Sequence, residues 1–294
     1  MKVSIGVCAY NEEKNIKKLL TSLINQKTNK IKIDEIFVVS SACTDNTNNI
    51  VREFEKKDKR VKLIDQKERE GKSSAINLFL KNAKNEILVL ESGDTVPEEN
   101  TIERLCIPFE KEEVGMTGSR PIPVNRDNNF MGFVVNFFWK LHHEIAMENP
   151  KCGELVAFRD FVKEIPKESA VDEASIEAIV REKGYKLEYV PNAVVRNKGP
   201  ETVKDFLIQR RRINAGHVWL EKVQKHTVST DDLGKVIKLV ARNFSLNPKK
   251  NLWIVMAMAI EAYGKFLGKY DYYIKNKNPY IWNIAKSTKE LKNA

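Results

Sequence analysis

Over residues 1–200 short apolar runs alternate with segments whose apolar positions recur three and four apart. The runs are 3–9, 36–40, 61–64, 87–90 and 114–117, and the segments between them are 13–25, 47–56, 73–83 and 98–106. In the first segment Ile16, Leu19, Leu20 and Leu23 share one helix face. This alternation predicts β-α-β units, with helices covering both faces of a mostly parallel, buried sheet.

After Pro121 and Pro123 the pattern changes: Phe130, Phe133, Val134, Phe137, Phe138 and Leu141 recur at helical spacing, so one broad face is aromatic. Such a face either packs on a core or meets a lipid-like partner. A strand over 154–158 follows, then a helix over 173–183 ended by Gly184, then strands over 186–190 and 193–196 joined by a Pro191-Asn192 turn. A long basic helix over 202–225 closes a main domain assigned to 1–225. Residues 226–232 read as a polar linker opening a helical extension, 226–294, with helices over 233–241 and 250–266. Its tail carries Tyr270, Tyr272, Tyr273, Tyr280 and Trp282 among lysines, a mixture found in interfacial segments and in packed helices alike.

With 42% hydrophobic and 31% charged residues in 294, the composition is that of a folding globular chain. The longest apolar run, 252–260, is well short of the ~20 residues that span a bilayer. A net charge of +10 favours phosphorylated ligands and anionic surfaces. Lysines such as Lys14, Lys17, Lys18, Lys56, Lys57 and Lys59 lie on solvated helix faces, so nucleic acid is not expected as a partner. Cys8, Cys43, Cys106 and Cys152 are scattered without a C-x-x-C pair, which excludes a zinc-ribbon pattern and fits a reducing compartment. Met1 leads straight into a strand-like run, so the expected location is cytoplasmic, with peripheral contact to the membrane through the extension.

In an open α/β sheet ligands bind beyond the carboxyl ends of the strands. The residues there are Ala9-Tyr10-Asn11-Glu12 after the first run, Ser40 to Thr47 after the second, and Glu91-Ser92-Gly93-Asp94-Thr95 after the fourth. A carboxylate such as Asp94, at a strand end beside a helix N-terminus, is suited to hold a divalent cation against a diphosphate. Helix capping is the other role open to Asp94, Thr95 and Glu98.

The ordered set resembles the family 2 inverting glycosyltransferases across residues 3–220. Ala9-Tyr10-Asn11-Glu12 is similar to their Pro-Tyr-Asn-Glu opening, and Ser41-Ala42-Cys43-Thr44-Asp45-Asn46-Thr47 to their Asp-Gly-Ser-Thr-Asp-x-Thr turn. Gly71-Lys72-Ser73-Ser74-Ala75-Ile76-Asn77 resembles their Gly-Lys-x-x-Ala-Leu-Asn helix start. Ser92-Gly93-Asp94 stands where they carry the metal motif Asp-x-Asp, with Ser92 replacing the first carboxylate and Glu91 one residue before it. Val171-Asp172-Glu173-Ala174 is similar to their Glu-Asp pair, and Gln209-Arg210-Arg211-Arg212-Ile213 to Gln-x-x-Arg-Trp, with Ile213 in place of Trp.

The resemblance implies a GT-A fold, a Rossmann-like mixed sheet flanked by helices. It implies a donor that is a UDP- or GDP-sugar, Mg²⁺ or Mn²⁺, and a glycan or polyprenyl-linked acceptor. By the same resemblance Ala9, Tyr10, Asn11, Glu12, Ser41, Asp45, Gly71, Lys72, Ser92 and Gly93 bind the donor, with Gln209, Arg210, Arg211 and Arg212 at its diphosphate. Asp94, Glu91 and His217 are the expected metal contacts, and Asn197 replaces a histidine that ligates metal in some relatives. Glu173 is the expected catalytic base, with Asp172 beside it. The loss of Trp at Ile213 predicts one sugar per encounter. Two rivals were weighed. A nucleotidyltransferase of similar fold is disfavoured because 7–13 holds neither glycine nor a basic residue; a non-catalytic basic module would show no sugar-nucleotide chemistry.

Overall fold

The computed structural model describes residues 1–228, 233–281 and 286–291; Trp282 and part of the expected linker lie outside them. The chain begins β1 (Lys2–Ala9), α1 (Ile16–Ile24), β2 (Lys32–Ser41), α2 (Thr47–Lys57), β3 (Val61–Gln66), α3 (Lys72–Asn82) and β4 (Ile87–Ser92). There follow β5 (Thr95–Pro97), α4 (Thr101–Cys106), β6 (Val114–Pro123), α5 (Phe130–Glu148), β7 (Val156–Arg159), α6 (Asp172–Glu182) and β8 (Lys186–Asn197). The last elements are α7 (Val203–Gln224), α8 (Leu233–Arg242) and α9 (Pro248–Tyr273).

One sheet joins the strands in the order β3-β2-β1-β4-β7-β6-β8-β5. The strands β3, β2, β1 and β4 run parallel, whereas β7 is antiparallel to both β4 and β6 and β5 is antiparallel to β8. On one face Val3, Ile5 and Val7 pack with Leu19, Leu20 and Leu23; on the other, Leu88 and Leu90 pack with Phe79 and Ile76. Alternation along each strand therefore supplies two cores, as burial of both sheet faces requires.

Two boundaries differ from expectation. The proposed Pro191-Asn192 turn is instead the middle of a single strand. Gly118 pairs with Tyr189 and Arg120 with Val194, so a bulge holds Pro191, and its missing N–H leaves no gap in the ladder. The helix expected from residue 98 starts at Thr101, because Thr95–Pro97 pairs with β8.

The aromatic face of α5 is core. Met131, Val134, Phe137, Leu141 and Ile145 are buried against Phe206, Leu239, Ile254 and Ala257, so α7, α8 and α9 form a helical layer with α5 beside the sheet. No helix among the described residues is long and apolar enough to cross a membrane.

Candidate active site

The carboxyl ends of β1, β2 and β4 open into a cavity of about 570 Å³, whose far wall is the helical layer. That volume falls in the range of small-ligand sites. Ala9, Tyr10, Glu12, Ser41, Gly71, Lys72, Ser92, Gly93, Asp94, Asp172, Glu173, Gln209, Arg210, Arg212 and His217 all line it. Asp94 and Glu173, distant in sequence, thus share one space.

At its centre Lys72, the first residue of α3, reaches across to the start of α6. Its Nζ lies 2.6 Å from Asp172 Oδ2 and 3.0 Å from Glu173 Oε1. Burial pulls the Lys72 pKa down, but the charges of Asp172 and Glu173 outweigh it and hold the ammonium well above its ordinary value. Burial, and then the charge of Asp172, raises the Glu173 carboxyl, which makes it a stronger base than a solvated glutamate. Arg212, on α7, is pushed down by burial and held up by Asp172, Glu173, Glu154 and Asp94, so all four carboxylates act on one guanidinium. Burial raises Asp94 too, against the opposing charges of Lys72 and Arg212.

Glu154 is a site residue that sequence reasoning placed only as the start of a strand. It lines the cavity with a left-handed backbone, φ 62°, and Asn197 Nδ2 donates to its Oε1 at 3.3 Å. Burial, and then the charges of Asp94 and Glu173, push it up to about 7. Asn197 is itself buried, and its Oδ1 has no partner. The positive φ is invisible to hydrophobic pattern, which is why Glu154 was missed.

The C-terminal segment was missed as well. Tyr280, Ile281, Thr288 and Lys289 line the cavity together with Glu12 and Gly71. Lys289 is ion-paired with Glu12, Asn15 Nδ2 donates to Lys289 O at 2.9 Å, and the Leu291 amide donates to Asn15 Oδ1 at 3.0 Å. Gly71, at φ 95°, accommodates this segment: a Cβ there would stand 2.9 Å from Tyr280 O. Arg69 lies over the Tyr10 ring, 4.0 Å from its centroid.

Four expected contacts are not in the cavity wall, and a fifth stands in the wrong surroundings. Asn11 exchanges hydrogen bonds with Thr44, at 2.8 Å from the Thr44 amide and 3.2 Å to its hydroxyl, and Asp45 accepts from the Glu13 amide at 3.0 Å and the Thr47 amide at 3.0 Å. Both residues clasp the first two strand-end turns together. Glu91 is fully buried, accepts from Thr95 Oγ1, and is raised by burial to about 8, so it lies behind the wall as a protonated acid. Arg211 points the opposite way from Arg212 and grips Asp271 on α9 with two hydrogen bonds, 2.8 and 2.7 Å. His217 does line the cavity, but burial and then the charges of Lys151, Lys265 and Arg210 hold it well below its ordinary pKa, surroundings that repel a metal ion. Arg210 also belongs to the helical side, paired with Glu261 at 2.9 Å and set against the Phe138 and Phe206 rings.

The chain is similar to known proteins. The chain is 22% identical over 265 residues to the "Probable glycosyltransferase YdaM" of Bacillus subtilis, covering 85% of this chain and 59% of that one. It is 29% identical over 151 residues to an "Uncharacterized glycosyltransferase" of Haemophilus influenzae, covering 49% and 46%. The matched part thus spans about half the length of these relatives. Among solved structures, a mannosyltransferase from Pyrobaculum calidifontis in complex with GDP-Man and Mn²⁺ superposes with a TM-score of 0.62 at 21% identity, covering 91% of this chain and 84% of that one. Glucosyl-3-phosphoglycerate synthase from Mycobacterium tuberculosis, with Mn²⁺ and UDP, gives 0.54 at 16% identity over 77% and 79%. The fold is therefore GT-A. The model of "Glycosyl transferase family 2" matches residues 4–162, more than half of the sequence, and the chain belongs to that family.

Proposed function

We propose that this chain transfers a sugar, with inversion at the anomeric carbon, from a UDP- or GDP-sugar to an acceptor hydroxyl on a glycan or a lipid-linked carrier. The observation that carries this reading is the convergence of Asp94, Arg212 and the Lys72-bridged pair Asp172 and Glu173 in one cavity. The solved relatives with GDP-Man or UDP and Mn²⁺ support the donor class and the metal.

The residues present fit a hard divalent ion such as Mg²⁺ or Mn²⁺. Asp94 and Glu154 offer carboxylate oxygens, Asn197 Oδ1 is a buried amide oxygen without a partner, and an all-oxygen donor set is what such ions prefer. Among the described residues no three His, Cys, Asp or Glu side chains group as a metal cage, so diphosphate oxygens would complete the shell around Asp94. The ion would neutralise charge on the departing diphosphate.

In the chemical step Glu173 takes the acceptor hydroxyl proton as that oxygen attacks the anomeric carbon. The bond from that carbon to the diphosphate breaks in line, and its electron pair leaves on the diphosphate. Arg212 faces that charge with planar N–H donors fixed in advance. Lys72 keeps the two α6 carboxylates from repelling each other and fixes the orientation of Glu173. The turn clasp made by Asn11 and Asp45 holds Tyr10 and Ser41 at the nucleotide end. Peripheral membrane contact by the C-terminal helices belongs to the same reading and brings the enzyme to a lipid-linked acceptor.

The test is donor turnover: UDP- and GDP-sugars are offered with Mn²⁺, and nucleotide release and the product anomer are measured. Release with an inverted product, lost in Glu173→Gln, is the expected outcome; a retained anomeric configuration, or full turnover in Glu173→Gln, rejects the reading.

A further inference from the structure

The outward face of α9 is apolar. From residue 251 to 268 every exposed side chain is apolar or aromatic: Leu252, Val255, Met256, Tyr263 and Phe266, with two alanines between them. Leu252 is 58% and Phe266 63% exposed, and their spacing places them along one helix face. The inward side carries Ile254 and Ala257 at its first half and small and charged residues further along. A Cβ added at Gly264 would stand 2.8 Å from Arg210 Cβ, and one at Gly268 2.8 Å from Arg211 O, so α9 lies tight on α7 through glycine. Both acidic residues of α9, Glu261 and Asp271, are turned inward onto Arg210 and Arg211. A soluble surface helix shows the opposite pattern, and a continuous exposed apolar face of this length marks a docking surface.

Charge decides the occupant. Lys249 and Lys250 flank the stripe at one end, and Lys269 and Lys275 at the other, all exposed. Of the two acidic residues between 233 and 281, Asp271 reaches Lys275 at 3.7 Å and Glu261 pairs with Arg210, and neither is exposed beside Lys249, Lys250 or Lys269. A second copy of the chain seated on the stripe would bring lysines against lysines, whereas an anionic headgroup layer complements them. With no helix among the described residues long and apolar enough to cross a bilayer, the geometry has α9 lying along a surface. Ala262, exposed on the stripe, also lines the cavity beside Met258, Phe138 and Trp139, so the apolar half of the cavity adjoins the same face.

We propose that the outward face of α9 docks on an anionic lipid bilayer, with the helix in the plane of the surface and the apolar half of the cavity opening toward the acyl chains. This deepens the membrane contact of the proposed function by naming the face and the lipid charge, and it gives a lipid-linked acceptor a route to Glu173 without leaving the membrane.

The full chain is floated with vesicles of phosphatidylcholine alone and of equimolar phosphatidylcholine and phosphatidylglycerol. Binding to the second only, weakened by salt, is expected. The double variant Leu252→Asp, Phe266→Asp should lose more than about tenfold in vesicle affinity. Lys249→Glu should lose at least about fivefold. Melting temperature with and without nucleoside diphosphate and Mn²⁺ is measured on the same samples. An unchanged melting temperature and nucleotide response in the variants show that the fold and donor site are intact. Failure of the wild type to bind either vesicle, equal binding by the double variant, or a vesicle-free dimer that the double variant dissociates overturns the docking face. Vesicle binding without any nucleotide response retains the face and rejects only the donor reading.

Discussion

The strand-end wall of the cavity and its helical wall are built on opposite terms. The first gathers Asp94, Glu154, Asp172 and Glu173 around Lys72 and Arg212, charges that are buried, paired and aimed at a shared space. The second, from α5, α7 and α9, gathers Phe138, Trp139, Phe206 and Met258, and satisfies its few charges internally, Arg210 with Glu261 and Arg211 with Asp271. Under the proposed function the first wall serves the diphosphate and the proton transfer; the second offers a largely apolar surface. The adjacent arginines of α7 show how sharply the helix divides the two, since Arg212 faces the carboxylates and Arg211 faces α9.

That division can be broken by mutation. The largest effect is expected from Glu173→Gln, which should lower transfer about 10²- to 10⁴-fold while donor binding, read by thermal shift, persists. Next, Arg212→Ala should cost about 10²- to 10³-fold in turnover. Arg211→Ala should change turnover by less than about threefold and lower unfolding stability by about 1 kcal/mol in urea titration, because its pair with Asp271 is partly exposed. Equal kinetic losses at the two arginines would erase the distinction between the walls.

Titration separates the walls in direction. In the metal-free chain Glu154 and Glu91 keep protons to about 7 and about 8, whereas the unfolded chain releases them near 4.5. Between about pH 4.5 and 7 for Glu154, and between about 4.5 and 8 for Glu91, the folded state therefore binds more protons, and stability falls as pH rises, by up to about 1.4 kcal/mol per unit for each group. His142, on α5, behaves oppositely: burial pushes it down to about 3, so the unfolded chain takes up a proton below 6.5 that the folded chain refuses, and stability falls as pH drops. Melting temperature should rise as pH is lowered from 8 to 6.5, with a smaller rise in Glu154→Gln. As pH drops below 6.5, His142→Asn should gain stability relative to the wild type. The smallest effect is expected at the nucleotide end, where Lys289→Ala should weaken donor binding within about tenfold, measured by calorimetry, because it removes one of several contacts.

Much of the strand-end wall was legible in the sequence, because a strand followed by a polar turn fixes where Tyr10, Ser41, Ser92 and Asp94 emerge. The pair Asp172 and Glu173 was equally readable as the acidic start of a helix. The errors have local causes. Asn11 and Asp45 have the side chains of nucleotide contacts and also of turn clasps, and the turns used them. Glu91 precedes Ser92 on a strand, so alternation turned it away from the opening, and Arg211 was rotated off the cavity by helical pitch. Glu154 depended on a left-handed backbone, and the tail residues Tyr280 and Lys289 depended on a return of the chain across more than 200 residues, which no local pattern encodes. The apolar outward face of α9 could be seen only once its packing on α7 showed which side was covered.

The most direct measurement is the melting temperature of the wild type and of Asp94→Asn with UDP, GDP and their sugars, each with and without Mn²⁺ or Mg²⁺. At least one nucleotide should raise the wild-type value only when the metal is present, and Asp94→Asn should abolish that rise. A chain indifferent to every nucleotide, or an Asp94→Asn variant that responds as fully as the wild type, would contradict the account.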